Sequence, residues 1–293
     1  MNVLSLFDGM SCGRTALDRA RIHVGSYFAS EVDESAIAVA QANWPDNKQM
    51  GDVRNWRTWN IDWASVDLLL AGSPCQGFSR MGDRLNFDDE RSKLFFDFVD
   101  ILNHIKRLSP AVKFLLENVH MRQDWADVIS GFVGVGYHKI NSRLLVPQNR
   151  PRMYWANFPI STPTSTERRL VEILESGTPA DAILSSARIG WIERNPHKLG
   201  KYFHINPPVS SCLTARGDAG WNTTYVTRNG LLTRLTPIEW ERLQGLPDKY
   251  TAVAPIKERY KMLGNGWTVD VIAHIFNCMQ SGRGSMQPML DFG

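Results

Sequence analysis

Cysteine is scarce in this chain, with four among 293 residues, at positions 12, 75, 212 and 278. None pairs with another at CxxC spacing, so neither a disulfide framework nor a zinc site is indicated, and no metal is expected. Long apolar runs are missing too: no stretch of about 18 apolar residues occurs, which argues against a membrane-spanning helix. The N-terminus (Met1-Asn2-Val3-Leu4-Ser5-Leu6-Phe7) enters a strand pattern without a basic leader. No signal peptide is therefore expected, and a cytoplasmic location follows. A strong charge of either sign is absent as well, and the net charge of +3 is too small to announce a nucleic-acid partner. Internal repeats are not seen. What is present is the balance of a soluble globular protein, 43% hydrophobic and 22% charged. The length suits one large domain with a small insert.

The distribution of charge says more than its sum. Between Arg188 and Arg228 stand six basic residues (Arg188, Arg194, Lys198, Lys201, Arg216, Arg228) against two acids (Glu193, Asp218), with Trp191, Tyr202, Phe203, Trp221 and Tyr225 among them. Basic residues interleaved with aromatics suit a surface that meets phosphates and bases, although on composition alone an ordinary basic face is the commoner outcome. The first half alternates short apolar runs with helical patterns, which predicts βαβ units and a mainly parallel sheet. Strands are expected at Val3–Asp8, His23–Ser30, Val66–Ser73 and Lys113–Asn118, with helices at Glu34–Asn43 and Arg91–Leu108. From Ser161 to Thr233 the pattern gives way to Pro-, Gly-, Ser- and Thr-rich sequence, read as a loop-rich insert. Regular structure returns at Leu235-Thr236-Pro237-Ile238-Glu239-Trp240, where Thr236 is an expected N-cap, Pro237 the first helical residue and Glu239 the partner in a capping box. A last helix is expected over about Thr268–Met279. The resulting division is 1–160, 161–233, a returning segment 234–280 and a tail 281–293.

Open α/β sheets bind ligands beyond the carboxyl ends of their strands. Asp8, Glu31, Asp52, Pro74-Cys75 and Glu117-Asn118 stand at those ends. Phe7-Asp8-Gly9-Met10-Ser11-Cys12-Gly13 turns from strand into helix, and its glycines allow close backbone approach, but its spacing is not GxGxxG. Glu31 is placed to accept ribose hydroxyls, and Asp52, in Gly51-Asp52-Val53-Arg54, to accept an adenine amino group. Each acid alone is more often a cap or a solvated charge. Together they point to an adenosine-containing cofactor. Cys75 alone would ordinarily be a small buried hydrophobe. Glu117, ending the next strand, sets a carboxylic acid at the same sheet edge, and nucleophile beside proton donor is what covalent catalysis needs. Arg150 and Arg152, spaced by two, point to one side of an extended chain. They suit either surface charge or a fork donating to a carbonyl or phosphate.

Taken in order, these segments, followed by Arg234-Leu235-Thr236-Pro237, Arg242 to Asp248 and Gly264-Asn265-Gly266-Trp267, resemble the cytosine-5 DNA methyltransferase family over nearly the whole chain. The form is compact, of a prokaryotic or phage type. Ala29-Ser30-Glu31-Val32, Leu94-Phe95-Phe96 and Tyr154-Trp155-Ala156-Asn157 lean towards the vertebrate de novo branch. The resemblance implies a Rossmann-like S-adenosylmethionine-dependent α/β fold with a target-recognition insert, and methyl transfer to carbon 5 of a flipped-out cytosine in double-stranded DNA. It implies Cys75 as nucleophile, Glu117 as the acid at ring nitrogen 3, Arg152 as donor to the cytosine carbonyl, Asn118 bracing the loop, and Arg150 supporting Arg152 and the Cys75 loop. It assigns S-adenosylmethionine, with product S-adenosylhomocysteine, to Phe7, Asp8, Gly9, Met10, Ser11, Gly13, Glu31, Val32, Asp52, Val53, Pro74, Leu94, Asn265 and Trp267. DNA contacts are implied for Gln76, Ser79, Arg80, Arg84, Thr214, Arg216 and Arg228, with Trp221 and Asn222 as further candidates in the insert. Gln76–Lys93 matches the family's mobile loop. A monomer is expected, with a cognate restriction endonuclease as companion. The RNA-modifying branch, which acts on tRNA, shares the catalytic motifs. A non-catalytic homologue is opposed by the intact Cys75, Glu117 and Arg152, and an unrelated dehydrogenase by the first turn's glycine spacing.

Overall fold

The run Leu68-Leu69-Leu70-Ala71 has no polar residue to offer solvent, which suits a strand buried on both faces of a parallel sheet. In the computed structural model, which describes residues 1–73, 90–217 and 223–287, it lies near the middle of a seven-stranded sheet. The strands of this sheet are β1 (Asn2–Leu6), β2 (Ser26–Ser30), β3 (Lys48–Gln49), β4 (Leu68–Ala71), β5 (Lys113–Val119), β6 (Tyr137–Asn141) and β7 (Pro151–Ala156). Their spatial order is β3-β2-β1-β4-β5-β7-β6. The β1–β2, β2–β3, β1–β4 and β4–β5 pairs are parallel, and β7 runs antiparallel to β5. The strand order reverses between β1 and β4, and in open α/β sheets that switch point is where the carboxyl ends leave a crevice.

Helices α1 (Cys12–Arg19), α2 (Glu34–Asn43), α3 (Glu90–Leu108) and α4 (Gln123–Val133) connect these strands. The α2 helix begins where expected because the Asp33 side chain accepts from the amides of Ser35 and Ala36. Helix α4 stops at Gly134, whose φ of 80° supplies a left-handed C-cap. Alternate strand residues Leu4, Leu6, Leu69, Ala71, Phe114 and Leu116 form one core with Phe95, Phe98, Ile101, Leu102 and Ile105 of α3 and with Ala126, Ile129 and Val133 of α4. Val3, Leu68, Leu70 and Leu115 on the opposite face are equally buried.

The chain folds as two compact units. One comprises 1–140, 151–163 and 271–293, the other 141–150 and 164–270. This division differs from the sequence boundaries: the second unit continues past Thr233 to Asp270 and takes in 141–150. The reason is chemical, since buried hydrogen bonds described below tie 147–150 to 210–213 and 243–266. The second unit also holds more regular structure than a loop-rich insert implies. It contains α5 (Ser186–Glu193), β8 (Phe203–Ile205), β9 (Thr223–Arg228) and β10 (Leu231–Arg234). Strand β9 sits between β10 and a parallel β8, and Leu184, Ile192, Phe203 and Tyr225 make the small core. Asn229 and Gly230, both with positive φ, close the β9–β10 hairpin, a two-residue turn matched to strand twist. Helices α6 (Pro237–Leu243), α7 (Ile256–Asn265) and α8 (Val269–Ser281) follow. The α6 capping box forms as the sequence predicts, with the Thr236 hydroxyl accepting from Glu239 N and the Glu239 carboxylate from Thr236 N.

Candidate active site

Strand register builds the first part of the site. Glu117 lies opposite Tyr154 and Val119 opposite Arg152, so Glu117 and Arg152 are diagonal neighbours on one face of the β5–β7 pair. Their side chains form an ion pair, Arg152 Nε to Glu117 Oε1 at 3.0 Å, with only 12% and 11% of each exposed. Arg152 Nη1 also donates to the Pro151 carbonyl at 2.8 Å. A planar guanidinium held in this way has a fixed orientation at the sheet edge.

Asn118, on the other face of β5, is almost wholly buried. Its amide nitrogen approaches the carbonyl and hydroxyl of Ser73, each at 3.4 Å, and its oxygen accepts from Val119 N. Ser73 follows β4 and is the last described residue before Pro74 and Cys75. Asn118 therefore anchors the start of the segment that carries the expected nucleophile. Pro74, Cys75, Gln76, Ser79, Arg80 and Arg84 themselves lie outside the described residues, as do Trp221 and Asn222.

The carboxyl ends of β1 and β2 meet in a second constellation. Glu31 accepts from Gly9 N (2.8 Å) through one oxygen and from Val32 N (2.7 Å) and Asp33 N (2.9 Å) through the other. Three amides thus fix a carboxylate against the first turn, leaving roughly one of its four lone-pair sites for a hydroxyl donor. The turn itself is unusual: Phe7, Gly9 and Ser11 all have φ near +60°. Left-handed backbone at two non-glycine residues stores strain of the kind found where a loop is shaped for a ligand. Asp8 accepts from Tyr27 Oη at 2.7 Å and from the Ser11 hydroxyl. Burial pushes its carboxyl up to about 6, the nearby charge of Glu31 adds to the rise, and the hydrogen bonds from Ser11, Ser5 and Tyr27 oppose it. Met10, Ser11 and Gly13 are buried beneath the turn, whereas Val32 is 66% exposed at its rim.

Asp52 caps the 3₁₀ turn Val53–Thr58 and is gripped by Arg54, whose hydrogen bonds hold its carboxyl below the usual carboxylate range. Its acceptors face this arginine, so an adenine amino group would have to displace or share that contact. Val53 is buried in the first core, against which Phe7 and Leu94 pack.

Other expected residues stand elsewhere. Arg150 belongs to the second unit. It is 2% exposed, and its guanidinium donates to the carbonyls of Leu213 (2.9 Å), Gly264 (3.2 Å) and Gly266 (2.8 Å). Arg228, expected on a DNA-facing surface, is buried in a two-oxygen ion pair with Glu239 at 2.6 and 2.7 Å. It lies on the face of β9 that also carries buried Val226, which pairs with buried Thr233 of β10. Thr214 is half-buried and Arg216 exposed, on a turn closed by Gly217 N donating to the Thr214 carbonyl. Asn265 ends α7, exposed, and Trp267 is half-buried. Among the described residues no cluster of three or more His, Cys, Asp or Glu side chains suits a metal ion, and no helix is long and apolar enough to cross a membrane.

Gln148 and Gln244, to which the sequence assigns no role, are both fully buried. Gln148 donates to Leu243 O and Gln244 Oε1, and Gln244 donates to Leu263 O and Gly266 O.

A family model described as C-5 cytosine-specific DNA methylase matches residues 1–202 and 214–281. Type II methyltransferase M.NlaX of Neisseria lactamica is 29% identical over 307 residues, covering 95% of this chain and 96% of the relative. Type II methyltransferase M.NgoBV of Neisseria gonorrhoeae is 34% identical over 206 residues, 61% of this chain and 47% of the relative, so the chain spans about half that protein's length. The crystal structure of S. pombe Dnmt2 methyltransferase superposes with a TM-score of 0.74 at 19% identity, covering 96% of this chain and 98% of that one, a likeness of fold.

Proposed function

The chain belongs to the C-5 cytosine-specific DNA methylase family, and from that premise we propose that it transfers a methyl group from S-adenosylmethionine to carbon 5 of cytosine in double-stranded DNA. The observation that carries the reading is the Glu117–Arg152 pair, fixed by strand register at the edge where Asn118 holds Ser73, two residues along the chain from Cys75.

The chemistry follows from the ring. Carbon 5 of cytosine is a poor nucleophile. Addition of the Cys75 thiolate to carbon 6 forms a C–S bond and moves the 5,6 electron pair towards carbon 5 and the ring nitrogen, making carbon 5 nucleophilic. Glu117 protonates nitrogen 3 as that charge develops, and Arg152 donates to the carbonyl oxygen and orients the ring. After alkylation, loss of the carbon 5 proton restores the double bond and expels the Cys75 sulfur. A base stacked in a duplex cannot reach this edge, so the cytosine is flipped out, and Gln76, Ser79, Arg80 and Arg84 belong to the segment assigned to close over it.

The residues present fit the cofactor. Glu31, already fixed against Gly9, accepts a ribose hydroxyl, and a Cβ built on Gly9 would meet nothing within 4 Å, so the turn leaves room for close approach. Phe7, Asp8, Met10, Ser11, Gly13, Val32, Asp52, Val53, Pro74, Leu94, Asn265 and Trp267 are assigned to it with them. When bound, S-adenosylmethionine supplies the electrophilic methyl group. Thr214 and Arg216 are assigned to DNA. A cognate restriction endonuclease is the partner that such a modification serves.

Bisulfite sequencing of host DNA after expression tests the reading. Wild type is expected to protect cytosines within one short sequence, and Cys75→Ser to protect none. Tritium transfer to tRNA in preference to duplex DNA would move the substrate to RNA, and methylation that persists in Cys75→Ser would refute the covalent step.

A further inference from the structure

Two short segments far apart in sequence grip the same few backbone atoms of the second unit. Residue Leu213 is held at both ends of its peptide: Gln148 Oε1 accepts from its N–H at 3.2 Å, and Arg150 Nη1 donates to its carbonyl at 2.9 Å. Just before it, Asn149 N donates to Ser210 O and Ser210 N to Pro147 O, each at 2.8 Å. From the other side Gly264 of α7 lies directly beneath the next peptide. A Cβ built on Gly264 would stand 2.2 Å from the Thr214 carbonyl carbon and 2.4 Å from Ala215 N, distances no side chain tolerates. Arg150 closes the arrangement, because the guanidinium that holds Leu213 also holds the Gly264 and Gly266 carbonyls. Gln244 fixes the same stretch through Leu263 O and Gly266 O, and Thr268 donates to Gln244 Oε1 at 3.0 Å.

The buried part of this clamp ends where exposure begins. Leu213 is 5% exposed, Thr214 half-buried, and Ala215 and Arg216 are exposed at the tip of a turn completed by Gly217 at φ +60°. A guanidinium spanning three carbonyls and a contact that excludes even one methyl group leave the turn a single height and direction. Affinity for phosphates survives a shift of about an ångström. Selection of one base edge over another does not, because it depends on hydrogen-bond geometry at each position.

We propose that Arg150 and Gly264 are positioning residues for DNA sequence discrimination, fixing the Thr214–Gly217 turn so that Arg216 meets the DNA in one register. This rests on the reading that the turn faces DNA. Arg150→Lys keeps the charge but replaces a planar fork with a point donor that cannot span the same three carbonyls. Gly264→Ala leaves every hydrogen-bonding group in place and lifts the Thr214–Ala215 peptide. The two variants thus disturb one geometry by separate routes.

The test is methylation of a random-sequence duplex library by the full chain, read as the ratio of rates at the preferred site and at its best single-base variants. Both substitutions are expected to lower that ratio on the order of tenfold, about what the loss of one good base contact costs, at the positions that Arg216→Ala also relaxes. Competition between cognate and near-cognate duplexes at 15 °C gives the same ratio for a variant that melts early. Unchanged ratios in both variants, with only slower turnover or a lower melting temperature, would reduce the clamp to a structural role and overturn the proposal. A wild type that methylates no DNA would overturn the underlying reading, and the proposal with it.

Discussion

Arg150 and Arg152 are two residues apart and have opposite surroundings. Arg152 is the second residue of β7 in the first unit and is placed by ladder register beside Glu117, with which it forms a side-chain ion pair. Arg150 ends the 141–150 stretch of the second unit and gives its donors to three backbone carbonyls in a buried polar network. The first unit thus orients its reactive groups on a sheet whose core is almost entirely apolar. The second orients its loops through buried amides, guanidinium groups and carboxylates. An apolar sheet tolerates the loss of an edge side chain. A polar network loses several satisfied groups when one member goes.

The largest effect that this contrast predicts is chemical. Glu117→Gln should lower methyl transfer to duplex DNA by roughly 10²–10⁴-fold, the usual contribution of a positioned acid, while the melting temperature moves little. Tritium incorporation and calorimetry on the same preparation separate the two readouts, and a collapse of stability would erase the distinction between the units. Next comes Arg228→Ala. It strands the Glu239 carboxylate, which is 0% exposed, and should cost about 3–5 kcal/mol. Thermal unfolding should then show the second unit failing first, and protease cleavage within 164–270 should appear at lower temperature than within 1–140.

The smallest effect belongs to Asp8. Its folded pKa of about 6 stands above the ordinary 3.8, so between those values the folded state holds a proton that the unfolded chain has released. The stability contributed is full below about pH 4 and is lost as pH rises through 6, about 3 kcal/mol at most. The stability of wild type relative to Asp8→Asn should therefore fall between pH 4 and 6 and level off above 7. A flat difference in chemical denaturation across that range would remove the enclosed carboxyl from the account.

The same contrast explains what the sequence makes legible. Strand-end acids are readable because apolar runs of period two or continuous burial mark where each strand stops. Glu31 follows β2, Glu117 stands near the end of β5, and the α6 capping box forms where the sequence places it. The polar network has no such signature. Gln148 meets Leu243 and Gln244 across 95 and 96 residues, and nothing local to either glutamine announces the partner. Arg228 reads as one more basic residue of a surface stretch, because composition carries no inside or outside. Its place depends on the β9–β10 register set by the Asn229-Gly230 turn and on Glu239, eleven residues further along the chain.

The close seating of the Thr214–Ala215 peptide on Gly264 also bears on how such proteins can be recombined. A recognition segment from a relative, spliced in place of residues 215–233, would arrive with its own backbone path. It would sit correctly only where that path clears the α7 terminus at the height that Thr214 now takes. The natural splice points are thus Leu213, pinned from both sides of its peptide, and Arg234 at the end of β10. Chimeras cut inside the turn would be expected to fold and bind while reading no sequence well, and chimeras cut at the pinned peptide to exchange specificity whole.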